Sequence, residues 1–295
     1  MTIQTQFDDV ETVSPLVAFW NQILAPKFIT YRHILVDGLS RHSETIWPKL
    51  TLRAGDRVLD VGCGFGDTSI ALGHRVGPTG GVVGVDCCQA LLDLARLDAL
   101  QQGAAHVSFR CRDMELGLHE GGFDYVFARF GTMFFANPVA GLRAMRAAMK
   151  PGGRMAHIVW RRCTDNPWLT RSCDIVQQIL PKPGETARTC GPGPFSMADE
   201  AATRMQMEAA GFADICFERI DAKVLVGRTV EEAIAFQLAL GPAGETFREA
   251  GDLGERRRPE VETALAAMFD TVDRDDQGLW MDSSSWLITA TNPTN

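Results

Sequence analysis

The chain has no C-x-x-C, no histidine pair at metal-ligand spacing, no basic stripe and no apolar run near the ~18–20 residues that cross a bilayer. Each absence removes a class. Without paired thiols or histidines, neither a zinc site nor a small secreted disulfide framework is indicated. Most of the eight cysteines, Cys63, Cys87, Cys88, Cys111, Cys163, Cys173, Cys190 and Cys216, read as reduced, small core residues. The vicinal pair Cys87 and Cys88, with Cys163, Cys173 and Cys190, invites a thiophilic reading that their spacing does not demand. Without clustered Lys and Arg, and with a net charge of −8, nucleic acid is not expected as a partner. The one tight basic run, Arg256, Arg257 and Arg258, is flanked by Glu255 and Glu260 and reads as a solvated helix start. Asp8, Asp9 and Glu11 stand where a signal peptide carries basic residues, so the expected location is cytoplasmic with no membrane span.

What remains is an ordinary globular composition of 295 residues, 45% hydrophobic and 22% charged. It shows no repeat or low-complexity tract. Strand and helix signals alternate over 55–160. Apolar, β-branched runs at 57–61, 81–86, 107–111, 123–128 and 154–160 alternate with helical patterns at 67–76, 90–103 and 138–149. Such alternation implies parallel βαβ units in a doubly wound α/β sheet. Residues 1–50 read as an N-terminal helical cap, 51–160 as the core, and 161–213 as connecting helices with a Pro/Gly-rich loop. In that third segment a helix resumes at Ser196, a good N-cap. Residues 214–295 read as two strands, 214–227 and 278–290, separated by a helical insertion.

The chemistry sits at 58–67, where Asp60 precedes Gly62, Gly64 and Gly66 at a strand-to-helix turn. Glycines there permit positive φ and close backbone approach to a ligand, at the strand end where doubly wound sheets bind theirs. The spacing differs from the dinucleotide G-x-G-x-x-G, and Asp67 would sit poorly against a pyrophosphate. Asp86 ends the second strand and can accept from both ribose hydroxyls. Asp113 ends the third, within reach of an adenine amino group. Three strand-end carboxylates without a basic phosphate clamp suit a cationic nucleoside.

On these residues, with 129–135 and the Lys150, Pro151, Gly152, Gly153 turn, the chain resembles the class I S-adenosylmethionine-dependent methyltransferases. More finely, it is similar to the small-molecule branch akin to the ubiquinone/menaquinone C-methyltransferases. The resemblance implies a mostly parallel, seven-stranded, Rossmann-like sheet ending in two antiparallel strands. It implies S-adenosyl-L-methionine as cofactor and a small organic methyl acceptor as partner; a homodimer is compatible with it. Asp60, Gly62 and Gly64 would line the methionine end, Gly66 would belong to the same cofactor-binding loop, Asp86 would take the ribose, and Cys87 would pack on adenine. Asp113 and Met114 would flank the adenine, Arg129 would lie near the amino-acid moiety, and Phe130 beside the sulfonium. Trp20 and Phe28 would cover the cofactor or pack within the cap.

An activated methyl group needs chiefly in-line positioning and exclusion of water, with a general base only if the acceptor must lose a proton. No recognisable base constellation occurs. Tyr31, His33, Asn166 and Trp168 are the candidates for touching the acceptor, His42 and Asp165 are further candidate bases, and His157 reads as a core histidine. Two rival readings remain: a binding or regulatory protein that holds the cofactor without turnover, and an NAD-dependent oxidoreductase.

Overall fold

The computed structural model describes residues 14–184, 187 and 191–294, so Asp8, Asp9, Glu11 and Cys190 lie outside the described residues. Five parallel strands form the centre of the sheet: β1 (Arg57–Val61), β2 (Gly81–Asp86), β3 (Val107–Cys111), β4 (Phe123–Arg129) and β5 (Met149–Trp160). Two long strands, β6 (Ala213–Gly227) and β8 (Gly278–Thr291), complete it with antiparallel pairing, in the order β3-β2-β1-β4-β5-β8-β6. An eighth strand, β7 (Asp273–Asp275), pairs with β8 beyond the seven expected. The Asp275 carboxylate builds that hairpin by accepting from the Gln277 and Gly278 amides and the Trp280 indole. No helix among the described residues is long and apolar enough to cross a membrane.

The crossover helices are α4 (Asp67–Val76), α5 (Gln89–Gln101) and α6 (Pro138–Ala148). Local chemistry sets their ends. Asn137 caps α6 by accepting from the Ala140 amide at 3.0 Å, with Pro138 in the first turn. The left-handed Gly77 stops α4 before Pro78. Strands β1 and β4 are buried on both faces, as parallel strands covered by helices must be.

The additions gather on one side of the strand ends. The cap comprises α1 (Pro15–Phe19), a π-helical turn (Trp20–Leu24), α2 (Ala25–Thr30) and α3 (Arg32–Ile46). The other side is α7 (Pro167–Ile179), α8 (Glu200–Ala210), α9 (Val230–Ala239), α10 (Gly241–Glu249) and α11 (Gly251–Phe269). Polar ties seat the cap. His42 of α3 is buried, with its two ring nitrogens on the hydroxyls of Ser283 (2.7 Å) and Ser285 (3.0 Å) of β8. Burial, with the Arg129 charge nearby, pushes its pKa down to about 4, so it is neutral at physiological pH. His33 pairs with Glu232 of α9 at 2.7 Å, Lys27 donates to the Ala239 carbonyl at 2.9 Å, and Arg32 pairs with Asp98 of α5.

Two local expectations need correction. The helix expected from Ser196 begins at Glu200 under an Asp199 cap, because Ser196 spends its hydroxyl on the Met133 carbonyl at 2.5 Å. The arginine run lies in the middle of α11 rather than at a helix start. Arg258 bonds Glu255, while Arg257 bonds Glu260 and also donates to the Ile179 carbonyl at 2.7 Å, capping the end of α7.

Candidate functional site

The turn after β1 is built from one buried acid and three glycines with different duties. Asp60 is fully buried and accepts from the hydroxyls of Thr68 (2.7 Å) and Ser69 (2.6 Å) with one oxygen, bracing the first turn of α4. Its other oxygen has no partner, and burial pushes the carboxyl up to about 6. Asp60 thus supports the loop from beneath and does not line the cavity above it. Gly62 (φ +68°) lies so close to Gly131 that a Cβ would stand 2.9 Å from its Cα. Gly66 (φ +75°) packs under α5, where a Cβ would meet Ala95 and the Phe109 ring at 2.8 Å. Gly64 (φ +52°) differs: nothing lies within 4 Å of where its Cβ would be, and it lines the cavity.

Asp86, at the end of β2, draws the loop together by accepting from the amides of Gly64 and Cys88, both at 2.9 Å. Burial raises its pKa above the ordinary carboxylate value, against the lowering effect of those amides. Cys87 lines the cavity, and its carbonyl accepts from Asn21 of the cap at 3.0 Å. Asp113 caps the short turn Met114–Leu116 by accepting from the Glu115 amide at 3.0 Å, and Met114 forms a buried part of the wall. Glu115, which sequence reasoning passed over, accepts from the amides of Ala136 and Asn137, both at 2.7 Å, where α6 begins. Asn21 was also missed; its partner is a backbone carbonyl 66 residues away, which leaves no local sequence signal.

At the end of β4, the Arg129 guanidinium bonds the Asp67 carboxylate at 2.6 Å and the Ser43 hydroxyl at 2.8 Å. The aspartate that argued against a pyrophosphate ligand is therefore paired within the protein, and Arg129 ties loop, strand and α3 together. Phe130 follows with φ +58°, a strained backbone for a non-glycine residue that costs of order 1–3 kcal/mol. Its ring stacks on Trp160 at 3.8 Å and lines the cavity.

These groups floor a cavity of about 520 Å³, roofed by mostly apolar side chains of the cap, α7 and α9, with the charged Lys27 of the cap and Glu245 and Arg248 of α10 among its lining. Trp20 is on that roof, edge-on to Phe28 (5.4 Å) and Phe134 (5.0 Å). Other expected contacts lie elsewhere. Asn166 does not line the cavity: its amide donates to the carbonyls of Arg161, Arg162 and Ser284 and accepts from the Ser284 amide. That saturated set fixes the start of α7 and leaves no group for an acceptor. His33 is committed to Glu232, and Tyr31 packs on Phe236 at 5.5 Å; neither is a lining residue. Among the described residues no histidine lines the cavity. His157 is buried in β5 against Thr132, with burial pushing its pKa down to about 4. Trp168 does line the cavity, together with Gln237, which sequence reasoning missed. The signal for Gln237 was a lone amide within the apolar run of α9.

Sheet order, loop and strand-end acids resemble those of the class I S-adenosylmethionine-dependent methyltransferases, and comparison with known proteins agrees. Residues 52–179 match the family described as the methyltransferase domain. The ubiquinone/menaquinone biosynthesis C-methyltransferase UbiE of Pseudomonas putida is 26% identical over 217 residues, spanning 68% of this chain and 83% of that protein. Phosphoethanolamine N-methyltransferase 2 of Haemonchus contortus shares the fold at TM-score 0.58 and 15% identity, over 96% of this chain and 62% of that one. The YcgJ protein of Bacillus subtilis does so at TM-score 0.56 and 17% identity, over 85% and 98%. S-adenosyl-L-methionine is accordingly the cofactor.

Proposed function

We propose that this chain transfers a methyl group from S-adenosyl-L-methionine to a small, largely apolar organic acceptor bound in the same cavity. The observation that carries the proposal is the continuity of one cavity. Its floor is the glycine loop with Asp86 and Asp113, and its roof is the apolar cap. Its volume lies within the usual range of ligand pockets.

The residues present fit the cofactor. The open, left-handed Gly64 leaves a cradle that any side chain would fill. Each Asp86 oxygen takes one backbone amide and keeps a second lone pair, and Asp113 engages an amide with only one of its two oxygens. Asp86 would hold the ribose hydroxyls, Asp113 and Met114 the adenine, and Cys87 its apolar face. Gly62 and Gly64, with the Arg129–Phe130 corner, would hold the methionine end, and Trp20 would cover it. Asp60 and Gly66 would act indirectly, by keeping the loop in shape.

When bound, S-adenosylmethionine supplies a methyl group already activated on a sulfonium. The chain's own work is then positioning and desolvation, effects worth ~7–11 kcal/mol in favourable cases. Phe130, Trp160, Trp20 and Phe134 exclude water, and the cap ties keep the roof closed over the loop. Incubation with S-adenosylmethionine and a pool of small acceptors, followed for S-adenosylhomocysteine release, tests the proposal. Acceptor-dependent release is expected; cofactor binding without any release would favour a binding protein instead.

A further inference from the structure

We infer that Gln237 and Trp168 form the polar anchor of the acceptor compartment and select an apolar acceptor bearing a hydroxyl group. The inference rests on the proposed methyl transfer for the word acceptor, but its geometry stands alone. Gln237 is 1% exposed and lines the cavity from α9. Its amide nitrogen donates to the Trp168 carbonyl at 3.1 Å, which fixes the orientation of the amide, since a carbonyl needs a donor. The amide oxygen is then left without a partner. Trp168, itself 8% exposed and on the same cavity wall, has an indole N–H without a partner.

Two orphaned polar atoms on two bonded residues of one cavity are costly, and native interiors keep few of them. Their chemistry is complementary. The indole only donates and the amide oxygen only accepts, so the group that satisfies both must accept one hydrogen bond and donate another. A hydroxyl does both. An ether or quinone carbonyl would satisfy Trp168 and leave Gln237 orphaned, a carboxylate would be repelled by the amide oxygen, and an ammonium would leave Trp168 orphaned. Gln237 does not take up a proton near neutral pH, so it holds the hydroxyl rather than deprotonating it.

The pair is also held in advance of binding. Asn166 pins the start of α7 through Ser284 of β8, and the Leu169 amide donates to the Asn166 carbonyl at 3.1 Å, which leaves Trp168 little freedom. Phe236, Leu240 and Leu169, all buried, give the wall its apolar part, and Lys27, Glu245 and Arg248 add charged groups to the same lining. A mainly apolar body with one hydroxyl therefore matches this part of the cavity.

Equilibrium dialysis of 2-naphthol, 2-methoxynaphthalene and naphthalene against the purified protein, with and without S-adenosylhomocysteine, tests this. The naphthol is expected to bind about tenfold more tightly than the methoxy compound, the scale of one well-made buried hydrogen bond. In Gln237→Leu and Trp168→Phe that ratio should fall to about threefold or less while naphthalene binding stays within about twofold. The second variant decides the matter should the first not fold. Equal binding of naphthol and its ether, no binding of any probe, or an undiminished ratio in the variants would overturn the anchor. Failure of S-adenosylhomocysteine to bind would speak against the methyltransferase reading and leave the naphthol comparison to be judged by itself.

Discussion

The floor and the roof of the cavity are built on opposite principles. On the floor, backbone groups do the work: Asp86 clamps two loop amides, three glycines take left-handed φ, and Glu115 and Asp113 hold turn amides. On the roof, side chains of the cap reach α9 across long sequence distances, His33 to the Glu232 carboxylate and Lys27 to the Ala239 backbone carbonyl. A backbone-built floor can hold one invariant ligand. A roof of apolar side chains can be recut for different acceptors without disturbing it. Substitutions on the floor should therefore cost stability or cofactor affinity, and those on the roof should change acceptor choice.

The largest effect is expected from Gly62→Ala. A left-handed alanine costs ~1–2 kcal/mol and the 2.9 Å approach to Gly131 adds overpacking of ~1–3 kcal/mol, so a loss of roughly 3 kcal/mol should appear in thermal unfolding. An unchanged midpoint would show that the two loops do not meet as described.

Asp60 gives the next largest, as a pH effect. Its carboxyl titrates near 6 when folded against an ordinary 3.8, so below about pH 4 it is protonated in both states and contributes nothing. Between those values the unfolded chain releases its proton and the folded one retains it, so stability falls as pH rises, by roughly 3 kcal/mol in full. Asp60→Asn should flatten this part of the stability profile measured by denaturant titration. A slope that survives the substitution must come from other groups.

Gly64→Ala sharpens the contrast within the loop. It meets no neighbour, so only the ~1–2 kcal/mol backbone cost is expected in stability, yet its methyl enters the cradle and should weaken S-adenosylhomocysteine binding as well. Equal retention of affinity would remove Gly64 from the cofactor site. The smallest effect is on the roof. His33→Ala breaks a partly exposed pair, worth less than about 1 kcal/mol in unfolding, while leaving cofactor affinity unchanged. A larger loss of affinity than of stability would mean that His33 itself reaches the cofactor.

The same division separates what could be read in the sequence. Strands β1, β2 and β3 and helix α4 were legible to the residue, because glycines, Pro78 and β-branched runs mark their limits locally. Asp86 and Asp113 were found from strand-end positions alone, and both line the cavity. Roles that depend on distant partners were not visible. Asn166 belongs to Ser284, Ser196 to the Met133 carbonyl and Asn21 to the Cys87 carbonyl, and none of these pairings leaves a local pattern. Asp60 illustrates the limit best: its position next to the loop suggested contact with a ligand, whereas its burial beneath the loop follows from the hydroxyls of Thr68 and Ser69.

Calorimetric titration of the wild-type chain and Asp86→Ala with S-adenosylhomocysteine and with NAD tests the central claim most directly. S-adenosylhomocysteine should bind the wild type, NAD should give no heat, and the substitution should cost about 1.5–3 kcal/mol of affinity, the scale of hydrogen bonds to a charged group. Binding of NAD alone, or an S-adenosylhomocysteine affinity indifferent to Asp86, would contradict it.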